Sequence, residues 1–205
     1  MYSHTIIVYK EMLTKNEKKV MRMLFASLGE PYSINQIARE CNLAPNGAFK
    51  ILKKFEKEGI ITAKGIANIK SYSLNFENEK TKNILKLALI PELEGRVKYR
   101  AEDLNPLKDV VKVCIIFGSY ITSKKEPNDL DLLFIFKKES YSKYQELLEQ
   151  AKRVIPLKLH DVIQTEEDFA SNLRKNKISF GILKNGVVLW GHDELINIIQ
   201  NEYRK

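Results

Sequence analysis

The feature that most constrains this chain is a pair of aspartates planted at the head of an apolar strand. Asp129-Leu130-Asp131-Leu132-Leu133 opens an extended run that continues to Phe136, and ahead of it, with nine residues between, Phe117-Gly118-Ser119 ends another strand-like run, Val110 to Phe117. Side chains at i and i+2 of a strand share one face, with their Cα atoms about 7 Å apart. Two carboxylates so placed repel each other unless a cation lies between them. Mg²⁺ prefers hard oxygen ligands and leaves room for phosphate oxygens, so a metal–triphosphate complex suits the pair. Gly118 permits close approach of a phosphate, Ser119 adds a hydroxyl, and a helix start beyond them favours negative charge. Asp129 and Asp131 are therefore candidate metal ligands and catalytic acids, and Gly118 and Ser119 candidate nucleotide-binding residues.

The surrounding pattern is an alternation of strands and helices. Strands are expected at Val110–Phe117, Asp129–Phe136, Leu157–Gln164 and Val187–Trp190, with helices over Ser140–Arg153 and Thr165–Asn176 and a last one from about Glu194. Short joints between such elements argue for an α/β arrangement. In the third strand, alternation puts Asp161 on a face with Leu157, Leu159 and Ile163, an expensive place for an acid without a role or a partner. Asp161 is thus a third candidate ligand and catalytic acid. His160 takes the opposite face and is read as structural. Glu166, Glu167 and Asp168 suit the first turn of a helix capped by Thr165. Lys124 and Lys125 are read as a charged loop tip, and Trp190 and Tyr120 as packing residues. Ser119 lacks the Gly-x-Ser-x-Gly elbow of a nucleophile.

The set Gly118-Ser119, spacer, Asp129-x-Asp131 resembles the signature of the nucleotidyltransferase superfamily typified by DNA polymerase beta, and its minimal members in particular. The resemblance spans about residues 105–191, ending in Lys184-Asn-Gly-Val-Val-Leu-Trp-Gly191. It implies a Mg²⁺-dependent transfer of a nucleoside monophosphate from a nucleoside triphosphate, ATP above all, to an acceptor hydroxyl, with a third carboxylate on a later strand. Asp161 is the first candidate for that place, with Glu166, Glu167 and Asp168 as weaker ones. It also implies possible acceptors: a protein hydroxyl, as in toxin–antitoxin pairs with a helical HEPN-type partner, or a small molecule. The chain departs from minimal members after Gly118-Ser119, where Tyr120-Ile121-Thr122-Ser123 replaces an alanine and a basic-Gly pair, and at Asn128, where a serine is usual.

The first half is written differently. Helices are expected over Lys15–Ser27, Ile34–Cys41 with Ser33 as its cap, and Pro45–Glu58, followed by extended pieces at Ile60–Lys64 and Asn68–Leu74. That order resembles the winged helix-turn-helix family over about residues 14–75. Ala48, Ile51, Leu52 and Phe55 form a buried stripe on the third helix. Asn46, Lys50, Lys53, Lys54 and Lys57 lie opposite, and Lys64 and Lys70 on the wing. These seven are the candidate DNA-binding residues, polar groups reaching bases and ammonium groups meeting phosphates. Charge agrees: the net +8 of the chain comes wholly from residues 1–100, with 18 Lys/Arg against 10 Asp/Glu, while the remainder holds 16 of each. An acidic polymer is the expected partner of that half alone.

The expected class is α+β in two domains: a winged helix-turn-helix domain over 1–75, a helical connecting segment over 76–104, and a nucleotidyltransferase domain with a small mixed sheet over 105–205. Cys41 and Cys114 stand too far apart in sequence to indicate a disulfide scaffold or a zinc knuckle. No secretory or membrane-spanning run is present in the sequence, so a cytoplasmic protein without a membrane partner is expected. The expected activity is a nucleotidyltransferase tethered to duplex DNA, antitoxin-like and dimeric in one form. Its rivals are a DNA-binding regulator whose second domain senses a nucleotide or is inactive, and an RNA-modifying enzyme using the basic half as a platform.

Overall fold

The structure, a computed structural model, describes residues 13–66, 69–91, 95–122, 127–136, 140–173, 175 and 177–203. Lys124 and Lys125, the tip of the Ile61–Leu74 hairpin at residues 67 and 68, and the start of the chain to residue 12 lie outside the described residues. Contacts divide the chain into two units, Met1–Leu89 with Ile199–Lys205, and Ile90–Ile198.

In the first unit, α1 (Lys15–Ala26) starts where Thr14 and Glu17 exchange hydrogen bonds: the Glu17 amide donates to Thr14 Oγ1 (3.2 Å) and the Thr14 amide to Glu17 Oε2 (2.7 Å). Such a box satisfies two donors that a helix start leaves open. Glu17 is almost wholly buried and also accepts from Lys54 Nζ at 2.8 Å. Val20, Met21, Met23, Leu24 and Phe25 are all buried, so α1 is the central element of this unit. A two-residue strand, β1 (Tyr32–Ser33), follows, and Ser33 then caps α2 (Ile34–Cys41) in a second box with Gln36. α3 (Pro45–Lys57) buries Ala48, Leu52 and Phe55. β2 (Ile61–Ile66) and β3 (Ile69–Leu74) form an antiparallel hairpin, and β1 pairs with β3 to complete a three-stranded sheet in the order β1-β3-β2.

The segment expected to be a connector begins as part of this unit. α4 (Glu79–Leu89) packs on α1, and its first turn is tied to the hairpin base. Thr81 Oγ1 donates to Asn75 O at 2.6 Å, while Asn75 Nδ2 and Asn78 Nδ2 donate to Gly59 O at 2.9 and 3.1 Å. Gly59 has φ +70, the left-handed turn that glycine adopts without a Cβ clash.

The second unit opens with α5 (Gly95–Asp103) and a 3₁₀ turn (Asn105–Asp109). Then come β4 (Val111–Phe117), a four-residue helix α6 (Ser119–Thr122), β5 (Asp129–Phe136), α7 (Tyr141–Val154) and β6 (Lys158–Gln164). α8 (Glu166–Leu173), α9 (Lys177–Asn185), β7 (Val187–Trp190) and α10 (His192–Tyr203) complete the chain, the end of α10 counting with the first unit. The sheet order is β6-β5-β4-β7, parallel between β5 and β6 and antiparallel elsewhere. Mixed α+β architecture with small sheets is thus what the sequence pattern called for. Cys114, Ile116, Leu130, Leu132, Phe134 and Leu159 pack in one core with Tyr144, Leu148 and Ala151 of α7. Val113, Ile115, Leu133 and Ile135 alternate with them on the other face and are equally buried, which is why Val113–Phe117 and Leu132–Phe136 read as unbroken apolar runs. α8 packs along β5 and β6, and α9 along β4. No helix among the described residues is long and apolar enough to cross a membrane.

The Glu17 site carries a stability prediction. Burial pushes the Glu17 carboxyl up, but the bonds from Lys54 and Thr14 outweigh it and hold it below the ordinary value. A carboxylate lowered on folding contributes stability above its unfolded pKa, and loses it as pH falls through the folded one. Glu17→Ala is expected to lower unfolding free energy by about 1–2 kcal/mol at pH 7. In urea melts that deficit should shrink below about pH 4.

Candidate functional site

Asp129 and Asp131 occupy one face at the start of β5, as i and i+2 residues of a strand must. Gly118, at the end of β4, has φ +72, and a Cβ built on it would stand 2.0 Å from Asp131 Oδ2. The Asp131 carboxylate therefore fills the space that any side chain at position 118 would need. Asp131 is paired with Phe117 across the two strands, which brings the glycine beside it. Ser119 Oγ donates to Asp129 Oδ1 at 3.2 Å. The Gly-Ser turn thus orients both carboxylates: one by leaving room, the other by a hydrogen bond. Thr122 Oγ1 closes the turn with a bond to Gly118 O at 3.0 Å.

The third member of the cluster is His160. In the parallel pairing of β5 and β6, Asp131 stands opposite His160 and Leu132 opposite Asp161. Paired residues of adjacent strands share a face, so His160 joins the carboxylates and Asp161 does not. His160 Nδ1 lies 3.4 Å from Asp131 Oδ1 and 3.7 Å from Asp129 Oδ2. The three residues each offer a ligand atom within 4.8 Å of the others. Two carboxylate oxygens and an imidazole nitrogen, partly open to solvent, form a donor set that fits a divalent ion.

Asp161, expected to join the two aspartates, is turned away from them, and the partner that its place on an apolar face called for is Tyr144, whose Oη, from α7, donates to Asp161 Oδ2 at 2.6 Å. Burial first, and this bond second, push the Tyr144 hydroxyl far above its usual range, so it stays a donor. Phe134 packs edge-on to the Tyr144 ring and Phe136 stacks on it, fixing the phenol that holds the acid. His160, read as structural, is the residue that sequence reasoning missed. A signal existed. Asp161 shares its face with Leu159 and Ile163, the core side, whereas His160 alternates with Lys158, Val162 and Gln164 on the more open side.

Among the acids of α8, Asp168 and Thr165 form the expected cap, the Asp168 amide donating to Thr165 Oγ1 at 3.1 Å. Trp190 Nε1 donates to Val111 O at 2.9 Å, and Tyr120 is buried with its hydroxyl on Arg96 O at 2.9 Å.

In the first unit, the seven residues proposed to face DNA divide into two groups. Lys54 is bound to Glu17 (2.8 Å); Lys53 and Lys70 both bind Glu56, at 3.2 and 2.8 Å. The bond to Glu17 raises Lys54, and that to Glu56 raises Lys70, above the usual ammonium value. Asn46, Lys50, Lys57 and Lys64 are exposed, and these lysines make no ion pair among the described residues. Phe49, 42% exposed, lies between Asn46 and Lys53 on the same helix, with the Lys53 ammonium 5.9 Å from its ring centre.

Residues 103–195 match the family model described as Polymerase beta, Nucleotidyltransferase. The match lies wholly within the second unit and contains every residue of the Asp129–Asp131–His160 cluster. It supports the DNA polymerase beta-like superfamily and a nucleotidyltransferase-type function for that part of the chain. No curated protein and no solved structure matches the chain significantly.

Gly118→Ala tests the turn. The positive φ and the collision with Asp131 together should cost more than about 1 kcal/mol in urea melts. Divalent-ion affinity, read by calorimetry, should fall as well, because the Asp131 carboxylate must move.

Proposed function

We propose that the chain is a divalent-metal-dependent nucleotidyltransferase joined to a winged-helix DNA-binding domain. One observation carries the catalytic half: within the segment matching the family model, Asp129 and Asp131 converge beside the Gly118-Ser119 turn. Asp129 and Asp131 would hold the ion. When bound, it supplies charge neutralisation on the triphosphate and polarises the phosphorus under attack. Ser119 fixes one carboxylate and Gly118 admits the other, so both are oriented before substrate arrives, which is where electrostatic catalysis gains most. The acceptor hydroxyl forms its bond to the α-phosphorus and gives its proton to solvent water as the bond to the departing pyrophosphate breaks. Asp161, turned away and bound by Tyr144, is not placed to take the hydroxyl's proton. Mg²⁺ and ATP are the first ion and substrate to try, and a hydroxyl of a helical HEPN-type protein is the first acceptor.

Activity is expected to show as pyrophosphate released from a nucleoside triphosphate in the presence of an acceptor. Asp129→Asn and Asp131→Asn should abolish it. Asp161→Asn should retain it to within about tenfold, since its contact is with Tyr144 rather than with the reacting groups. Loss of activity in Asp161→Asn equal to that in Asp131→Asn would refute the arrangement.

The orientation of Asp161 also favours a second reading, a regulator whose nucleotidyltransferase domain binds a nucleotide without turning it over. Nucleotide binding with no pyrophosphate release, together with DNA binding that changes on nucleotide addition, marks that case.

The DNA-binding half rests on the element order α1-β1-α2-α3-β2-β3 with a three-stranded sheet, on the exposed Asn46, Lys50, Lys57 and Lys64, and on the charge surplus of residues 1–100. Duplex affinity should fall, and its salt dependence flatten by roughly one ion per lysine removed, in Lys50→Ala and Lys57→Ala. Lys54→Ala should act mainly on stability, through Glu17.

A further inference from the structure

The third donor of the cluster is an imidazole rather than a third carboxylate, and that changes which ion the seat favours. We propose that His160 is a protein ligand of the metal seat and shifts its preference from Mg²⁺ toward first-row transition ions, with Mn²⁺ bound well ahead of Mg²⁺. The inference rests on the reading of Asp129 and Asp131 as the seat and names a ligand and an ion class that this reading leaves open.

Three observations lead to it. The pairing of β6 with β5 gives the carboxylate face His160 and denies it Asp161. The Nδ1 atom of His160 stands within 3.4 and 3.7 Å of oxygens from both aspartates, so no rearrangement of the strands is needed to bring the three together. Side-chain exposures of 44% for His160, 38% for Asp129 and 25% for Asp131 leave the donors reachable from solvent. Mg²⁺ takes hard oxygen ligands almost exclusively and gains little from an imidazole. Mn²⁺ accepts carboxylates equally well, and the divalent ions beyond it in the first row bind nitrogen more tightly still. A neighbouring acid in that place would have kept the site all-oxygen. The register instead turns the acid to Tyr144 and offers the ring.

The experiment uses the 205-residue chain and measures free Mn²⁺ by its paramagnetic resonance signal, alone and with Mg²⁺ as competitor. The wild type should bind Mn²⁺ at least about tenfold more tightly than Mg²⁺. Spin-echo spectra of the bound ion should show coupling to an imidazole nitrogen. His160→Ala should lose that coupling and weaken Mn²⁺ by about tenfold while leaving Mg²⁺ nearly unchanged. His160→Asp should restore an all-oxygen set and raise Mg²⁺ relative to Mn²⁺. Circular dichroism and the thermal midpoint confirm that each variant folds; the nitrogen coupling of the wild type requires no variant at all. Bound Mn²⁺ without nitrogen coupling overturns the proposal, as does unchanged Mn²⁺ affinity in His160→Ala. Nitrogen-coupled Mn²⁺ without nucleotide transfer upholds the ligand and removes the catalytic reading. Transfer with Mg²⁺ that ignores His160→Ala, with no nitrogen coupling, does the reverse.

Discussion

The parallel pairing of β5 with β6 is the interaction on which the site depends. Because side chains alternate along a strand, a slip of one residue would exchange the two faces of β6 completely. Asp161 would then join Asp129 and Asp131, and His160 would be driven into the core under α7. The observed register is held from the core side. Leu159 packs among Leu130, Leu132 and Leu148, and Tyr144 supplies a hydrogen bond to Asp161 on the same face. Slipping would expose Leu159, worth about 1.5–3 kcal/mol when buried, and bury the polar face of β6 without partners. A core contact, remote from any reacting group, thereby decides the chemistry of the open face.

The same economy shows in how the carboxylates are held. Bringing Asp129 and Asp131 onto one face costs electrostatic repulsion in the absence of a cation. The fold meets that cost with polar neighbours rather than with burial: a serine hydroxyl on Asp129, an imidazole between both, and the space left by Gly118. None of the three cluster residues is buried, so hydration also screens the pair. An ion entering from solvent replaces part of that screening and needs no opening of the core.

What could be read from the sequence follows from the range of the interaction concerned. The long apolar runs of β4 and β5, the caps at Ser33 and Thr165, and the strand-start pairing of Asp129 with Asp131 are local patterns, and all are visible within a few residues. β1 escaped notice because two residues carry no periodicity; only its bonds to Tyr72 and Ser71 define it. The tie between the start of α4 and the hairpin base escaped because its determinants, Asn75, Asn78 and Thr81, look like ordinary loop polars until their acceptors on Ile60 and Gly59 are seen. The faces of β6 were assigned correctly within the strand, yet which face meets the aspartates is a property of register between strands some thirty residues apart in sequence. Alternation alone does not contain it.

Charge in the first half teaches a related lesson about composition. A surplus of lysines counts ammonium groups but not their commitments. Glu56 alone engages Lys53 and Lys70, and Glu17 engages Lys54 while capping α1. The two exposed pairs on Glu56 contribute little to stability, commonly under about 1 kcal/mol each, unlike the pair on the buried Glu17. Their larger effect is to fix where the remaining positive charge stands. Asn46 and Lys50 keep the N-terminal part of α3 polar and uncommitted around Phe49, while Lys57 and Lys64 carry charge at the helix end and on the hairpin. A helix face with a short amide and an aromatic ring ahead of its cations offers directional contacts as well as attraction. Attraction alone is indifferent to which acidic polymer it meets; the two glutamates that engage three of the lysines leave the remaining charge and the polar helix start in a graded order along α3 and the hairpin.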